Sequence, residues 1–363
     1  MAKQVAGFVL GFAVLFAMGV QRSDAQGVKV GGYLQAWYLS AQTPGVKGDP
    51  GVDSSDNGYR IRRARLNFKS DLNEVFSIDT WFEFAGSTNI LLDFKGIAKI
   101  SPQFVVTVGQ FIPPVQMNEN ANIASSKIPF YELSDLAINL SNFMGTESYR
   151  DIGLMVGGQY DIVKYGLYYG NGRGRFNSTL PGSTTAGTIL NRKFGQGLWG
   201  GRVDIEPTKG LFIGGHYSIN KQDSIRVVGS NPLSLDRNSY SFNVGVDGLA
   251  EAPNLFADIE YGNGKVKDGN AFDYNGFYAT VGYKVTPGLQ LLARYDTYNV
   301  NTNAVGSTPA TSTKAMNWTF GGTYYFYKET TELVKVGLNY EIRNEDPTDI
   351  HNNIFVLWTQ FRF

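Results

Sequence analysis

Apolar and polar residues alternate with a period of two along most of this chain. From Val28 to Tyr38, Val28, Val30, Leu34, Ala36 and Tyr38 share one face, and Lys29, Tyr33, Gln35 and Trp37 share the other. Further on, Ala64, Leu66 and Phe68 oppose Arg63, Arg65, Asn67 and Lys69, and Phe76, Ile78, Phe82 and Phe84 oppose Ser77, Asp79 and Glu83. The pattern persists late in the chain. Leu255, Ala257, Ile259 and Tyr261 oppose Asp258 and Glu260, and Leu289, Leu291, Ala293 and Tyr295 oppose Gln290, Arg294 and Asp296. Val334, Val336, Leu338, Tyr340 and Ile342 then oppose Lys335, Asn339, Glu341 and Arg343, and the last segment sets Phe355, Leu357, Phe361 and Phe363 against Gln360 and Arg362. A period of two marks β-strands with two unlike faces.

About sixteen such segments can be placed, matching the even strand number and ~10-residue strands of transmembrane barrels. Their connections alternate in length. One set is short: Asp71 to Glu74, Ser101 to Gln103, Glu206 to Gly210, Thr286 to Gly288, and Lys328 to Glu332. The other set is long, running Gln42 to Gly58, Ile112 to Tyr149, Gly170 to Gly197, Gln222 to Asn238 and Asn301 to Lys314, with Gly86 to Asn89 its one short member. Short periplasmic turns and long external loops give this asymmetry. The apolar face ends in an aromatic residue on many strands, among them Tyr38, Phe84, Tyr169, Trp199, Tyr217, Tyr261, Tyr295 and Tyr324, as expected of interfacial girdles. Too many strands carry Lys, Arg, Asp or Glu in mid-face for that face to be a dry core. The polar face therefore lines a wet lumen and the apolar face meets lipid. The expected fold is all-β, a transmembrane antiparallel up-and-down barrel.

One stretch breaks the alternation. In Ile112 to Tyr149, Pro113 and Pro114 end the preceding strand, since proline cannot donate to a ladder. Ile128, Leu133, Leu136 and Leu140 then have a rough helical spacing, with Ser125 or Ser126 as N-cap. Phe130, Tyr131, Leu133, Leu136, Ile138 and Phe143 are more apolar surface than a solvated loop carries. This third long connection is expected to fold into the lumen and narrow it.

Composition adds a compartment. Lys3, the uncharged apolar run Ala6 to Val20 and the small residues around Ser23-Asp24-Ala25 read as a secretory signal over residues 1–25, leaving the barrel as 26–363. The run is short of the ~20 residues a spanning helix needs. Cysteine is absent, which excludes disulfides and thiolate metal sites. Thirty-two basic residues balance 32 acidic ones, so nothing directs the chain to nucleic acid. No calcium-loop or zinc spacing occurs, and no cofactor is expected.

Four passages, YRIRRARLNFKSDL (Tyr59 to Leu72), VGQFIPPV (Val108 to Val115), IPFYE (Ile128 to Glu132) and YRDIGLMVGG (Tyr149 to Gly158), resemble the phosphate-selective porin family of the O and P type. The resemblance is densest over Gly58 to Gly170 and thinner afterwards. The terminal Phe363 resembles the signal read by the barrel-assembly machinery. The resemblance implies a sixteen-stranded homotrimeric channel in the outer membrane of a Gram-negative bacterium, with an inward-folded third loop. It also implies anion binding at Arg62 and Arg63, which fall on the family's Arg-Arg pair.

The basic cluster Arg60, Arg62, Arg63 and Arg65 is the dense one on a strand. Strict alternation turns Arg63 and Arg65 inward and Arg60 and Arg62 outward, unless a bulge shifts the register. Lys95 and Lys99 point inward on a later strand. The third loop is acidic, with Glu119, Glu132, Asp135 and Glu147 against Lys127, and an acidic loop facing a basic wall would set a field across the pore. The pore-lining candidates are thus Arg62, Arg63, Arg65, Lys95 and Lys99, and the constriction candidates Glu119, Lys127, Glu132 and Asp135.

Catalytic signals are sparse. The chain has two histidines, His216 and His351, and no G-x-S-x-G. The glycine-rich Gly170 to Gly174 ends a strand without opening a helix, so it is a poor phosphate cradle. The function expected is passive diffusion of small hydrophilic solutes with a weak preference for anions, phosphate among them. The competing reading is a barrel enzyme or a plugged binding barrel. A Ser or Asp within reach of His216 and facing an open groove would mark the enzyme, and a completely filled lumen the plug.

Overall fold

A computed structural model describes residues 27–42, 57–85, 91–114, 129–132, 134, 150–172, 196–225, 233–268, 270–300, 313–326, 333–346, 349 and 351–363. The signal segment expected over 1–25 lies outside them. Sixteen strands follow in chain order. The first eight are β1 (Lys29–Ala41), β2 (Gly58–Asp71), β3 (Phe76–Glu83), β4 (Leu91–Ser101), β5 (Phe104–Phe111), β6 (Asp151–Tyr160), β7 (Val163–Gly170) and β8 (Gly197–Thr208). The rest are β9 (Leu211–Ile225), β10 (Leu233–Leu249), β11 (Ala252–Asp268), β12 (Asn270–Thr286), β13 (Leu289–Val300), β14 (Thr313–Tyr325), β15 (Val334–Asp346) and β16 (Ile354–Arg362). Each pairs antiparallel with its sequence neighbours, and β1 closes on β16 with Gln35 opposite Gln360 and Leu39 opposite Val356. Beyond the last pair, Phe363 and Gly32 exchange backbone hydrogen bonds of 3.0 and 3.1 Å. Closure leaves no unpaired edge, which is what makes a sheet compatible with lipid.

The two faces follow the alternation. Ile259, Leu291, Leu338, Leu357 and Phe361 stand exposed on the outside, while Glu260, Arg294, Asn339 and Gln360 are buried on the inside. A soluble protein shows the opposite arrangement. Outer aromatic side chains meet across neighbouring strands, with Tyr169 and Trp199 at 4.1 Å between ring centres and Tyr295 and Trp318 at 4.6 Å. Short turns have local causes. Asn73 caps the turn between β2 and β3 by accepting from the amides of Val75 and Phe76, and Gly210 supplies a φ of +85° between β8 and β9.

Two expectations about connections are corrected. Strands β10, β11 and β12 run for 17 residues each, so much of Gln222 to Asn238 is ladder and not loop. The turn between β11 and β12 is also tight, with Asp268 opposite Asn270, so Gly86 to Asn89 is not the one short member of its set. In both places the ladder continues past the expected stop, across a register irregularity between Leu233 and Leu235 in the first. In the third loop, Pro129 to Glu132 form bends and no helix. Pro129 has no amide to give, and the polar groups of this segment are bonded to the barrel wall instead. Among the described residues no helix occurs.

Candidate functional site

The site begins with a bulge. Between β1 and β2 the register pairs Gln35 with Arg63 and Ala36 with Ile61, leaving Arg62 as the extra residue. On the far side of the bulge Trp37 faces Arg60 and Tyr38 faces Tyr59. Since Trp37 is buried on the inner face, Arg60 shares that face, and exposed Ile61 and Tyr59 point outward. The insertion therefore turns Arg60, Arg62 and Arg63 toward the lumen together. In regular pairing, Arg62 and Arg63 would lie on opposite faces.

The two guanidinium groups converge on one carboxylate from the third loop. Arg62 Nη2 donates to Glu132 Oε2 at 2.7 Å, and Arg63 Nη2 donates to Oε1 and Oε2 at 2.7 and 2.9 Å. Arg63 Nη1 donates to Gln35, whose amide donates to Gln360, so the Arg63 fork is fixed through β1 to β16. Arg62 lies over the Trp37 indole at 5.2 Å. Glu132 and Arg63 side chains are 1% and 3% exposed, while Arg62 keeps 26%, which makes Arg62 the open side of the cluster.

Pro129 to Glu132 dock on the next part of the same wall. Thr323 on β14 donates to the carbonyl of Pro129, and Arg294 on β13 donates to the carbonyl of Glu132 at 2.9 Å while lying over the Phe130 ring. Tyr131 donates its amide to Asn339 and its hydroxyl to Glu341 on β15, at 3.2 and 2.7 Å. Its ring meets Trp37 edge-on at 5.2 Å, within a buried cluster of Trp37, Leu39, Tyr131, Val356 and Trp358. Glu341 is in turn paired with Arg343 at 2.7 Å and with Arg294 at 3.8 Å. Arg62, Arg63, Arg294 and Arg343 thus meet Glu132 and Glu341 in one ionic cluster.

The remaining candidates fall into three groups. Arg65 lines the inner face but is bonded to Glu83 at 2.6 Å and to the Tyr33 hydroxyl at 2.8 Å. Lys95 faces Asp79 at 3.2 Å, and Lys99 is exposed beside the turn between β4 and β5. Glu119, Lys127 and Asp135 lie outside the described residues, as does Glu147. The acidic loop expected to face a basic wall meets that wall at Glu132, which is bonded to Arg62 and Arg63. Reasoning from alternation placed Arg294 and Arg343 on the inner face but did not single them out. Their partners lie far along the chain, and a period of two carries no signal of such proximity.

His216 meets half of the condition set for a catalytic barrel. Ser241 Oγ lies 2.7 Å from Nδ1 and Ser239 Oγ 3.2 Å from Nε2. All three are buried, and Ser241 donates to Glu260 at 2.5 Å. Glu260 therefore draws the Ser241 proton away from the imidazole and does not orient the ring, the reverse of a nucleophile relay. They brace β9, β10 and β11 as part of the inner wall. At Gly170 to Gly172, the Gly172 amide donates to Asp151 at 2.6 Å, so this turn holds a carboxylate of its own chain and is no phosphate cradle. Its last residues, Arg173 and Gly174, lie outside the described residues. Among the described residues, no group of acidic and histidine side chains has the geometry to hold a metal ion.

Comparison with known proteins agrees with the architecture. Residues 227–363 match the family model of phosphate-selective porin O and P. This is the part of the chain where the sequence resemblance is thinner, and it spans β10 to β16. Among solved structures, the chain is similar to an anion-selective porin from Comamonas acidovorans, with 14% identity, TM-score 0.64, and coverage of 93% of this chain and 99% of that one. It is similar also to the outer membrane channel DcaP of Acinetobacter baumannii, with 13% identity, TM-score 0.64, and coverage of 94% and 99%. A trimer form of OmpT from Vibrio cholerae matches with 11% identity, TM-score 0.62, and coverage of 94% and 100%. At such identities the likeness is one of fold. No curated protein sequence matches this chain.

Proposed function

We propose that this porin-type barrel of the Gram-negative outer membrane is a passive diffusion channel for small hydrophilic solutes with a weak preference for anions. The observation that carries the reading is the arginine cluster on the inner wall, where Arg62, Arg63, Arg294 and Arg343 meet Glu132 and Glu341. Guanidinium groups gathered on a low-dielectric wall attract anions and repel cations. The same carboxylates keep the preference weak, because each arginine already has an internal partner. Arg202 on β8 adds little, being clamped by Asp204 on its own strand at 2.6 to 2.9 Å. Phosphate is one of the anions that such a wall would admit. Among the described residues, Arg62, Arg63, Arg294 and Arg343 are each bonded to a carboxylate, which gives phosphate no advantage over the other anions. The family match and the trimer form of one structural relative support a homotrimer, which a native mass measurement in detergent tests, monomer alone counting against it.

Purified protein in a planar bilayer is expected to give stepwise conductance. In a salt gradient its reversal potential is expected to favour chloride near 0.1 M, where the Debye length is about 10 Å, and to lose that preference near 1 M, where it is about 3 Å. Folded protein that gives no conductance steps would overturn the channel reading.

A further inference from the structure

Arg62 and Arg63 form a complete seat for a small oxyanion, and that seat is filled by the chain itself. The bulge sets two sequence neighbours on one face, their Nη2 groups point at a single pair of oxygens, and the Gln35–Gln360 relay holds the Arg63 fork in place. Glu132 occupies the seat with three charge-assisted bonds of 2.7 to 2.9 Å. The seat has donors to spare. The Nε atoms of Arg62 and Arg63 and the indole nitrogen of Trp37 are buried with no acceptor among the described residues. The carboxylate is not held in place only by its own charge. Pro129, Phe130, Tyr131 and the Glu132 carbonyl are each bonded to, or stacked against, β13, β14, β15 or β1. Pro129 to Glu132 would thus remain docked if the carboxylate were removed.

From this geometry we infer that Glu132 is the selectivity-determining residue of the pore, a built-in carboxylate that occupies a two-arginine oxyanion seat and so withholds it from solutes. The inference rests on the channel reading above. With Glu132 present, Arg62, Arg63 and Glu132 carry one net positive charge, and passing anions find no vacant fork. With its charge removed, the same three positions carry two. With its side chain also shortened, the vacated space lies between two guanidinium groups and is reached from the partly exposed Arg62 side. The ligand that fits is a small oxyanion whose oxygens are spaced like those of a carboxylate, either acetate or inorganic phosphate.

The test compares wild type, Glu132→Gln, Glu132→Ala and the double variant Glu132→Ala with Arg63→Gln in planar bilayers. Glu132→Gln is expected to raise the anion-to-cation permeability ratio by about twofold near 0.1 M salt, where the Debye length of about 10 Å leaves the unpaired charge effective. In Glu132→Ala, acetate or inorganic phosphate is expected to block chloride current at concentrations about tenfold lower than in wild type, the return on two charge-assisted bonds. The double variant restores the net charge of wild type and is expected to lose that block. Separate acetate and phosphate titrations assign the oxyanion. An unchanged reversal potential in Glu132→Gln overturns the inference, and so does a block in the double variant equal to that in Glu132→Ala. If Glu132→Ala does not fold, the Glu132→Gln reversal potential decides alone. Trp37 gives a reading independent of conductance. With the other four tryptophans replaced by Phe, its fluorescence in detergent-solubilised Glu132→Ala is expected to respond to acetate or phosphate and in the matching protein with Glu132 intact to stay flat, even if the channel reading itself were to fail. Flat titrations in both proteins overturn the inference.

Discussion

At the scale of single residues, the inner wall is a set of buried charges that tolerate burial only in pairs. Arg63 and Glu132 are both nearly inaccessible, and removing one partner leaves the other desolvated. Arg63→Gln is therefore expected to cost on the order of 3 kcal/mol, near the lower end of the range for a broken buried pair because Arg62 still reaches Glu132. It is also expected to shift ion preference toward cations, since the carboxylate is then less compensated. Tyr131→Phe makes a contrasting pair with it. That change deletes one hydroxyl bond to Glu341 and no charge, so it is expected to cost about 1.5–3 kcal/mol with a much smaller shift in preference. Denaturant unfolding in micelles and reversal potentials, measured on both variants, check the contrast. Equal shifts in ion preference would mean that packing of the loop, and not the charge at Arg63, controls selectivity. Arg63 and Glu132 were both legible as candidates from type and position. That they touch was not, because one lies on a strand and the other in a segment without period.

At the scale of elements, the decisive feature is one extra residue in β2. The pairs Gln35–Arg63 and Ala36–Ile61 flank Arg62, so deleting Arg62 makes the ladder continuous without moving any other pair. The deletion is expected to leave a folded barrel and to remove one arm of the Glu132 seat. It should therefore match Arg62→Ala in ion preference. Heat-dependent mobility on gels reports folding, and bilayer recording reports preference. A deletion that abolishes folding while Arg62→Ala folds would show that the bulge shapes the wall beyond placing one side chain. Alternation alone turned Arg60 and Arg62 outward, and only the observed register places them inside. A bulge leaves no mark in a hydrophobic pattern when the residues around it are all arginine or apolar. The long strands β10 to β12 were under-read for a related reason, since polar positions near a strand end resemble loop.

At the scale of the whole molecule, the barrel is inside out relative to a soluble protein, and a charge on its outer face measures what surrounds it. Ile259 on β11 stands exposed beside the buried inner-face residues Asp258 and Glu260. Ile259→Arg is expected to destabilise the barrel by about 2–4 kcal/mol in phospholipid vesicles, the cost of arginine against lipid. A surface position in water would cost no more than about 0.5 kcal/mol. Urea unfolding from vesicles distinguishes the two, and a negligible cost would place this face away from the hydrocarbon.

The sequence by itself determined the class of the fold, the approximate strand number, the inner and outer faces of the strands away from the β2 bulge, and short turns such as Asp71 to Glu74 and Glu206 to Gly210. All of these follow from a period of two and from the turn chemistry of Gly, Pro and Asn, and both are local properties of the chain. Only the tertiary structure decided that Pro129 to Glu132 lie against β13, β14, β15, β1 and β2, and that Glu132 closes the pair its neighbours in sequence never meet. Closure of β1 on β16 sets β15 and β2 on one stretch of wall although they stand near opposite ends of the chain. Which side chains then converge depends on register and on a single bulge. These are set by the sum of pairings around the whole barrel, and no window of sequence contains that sum.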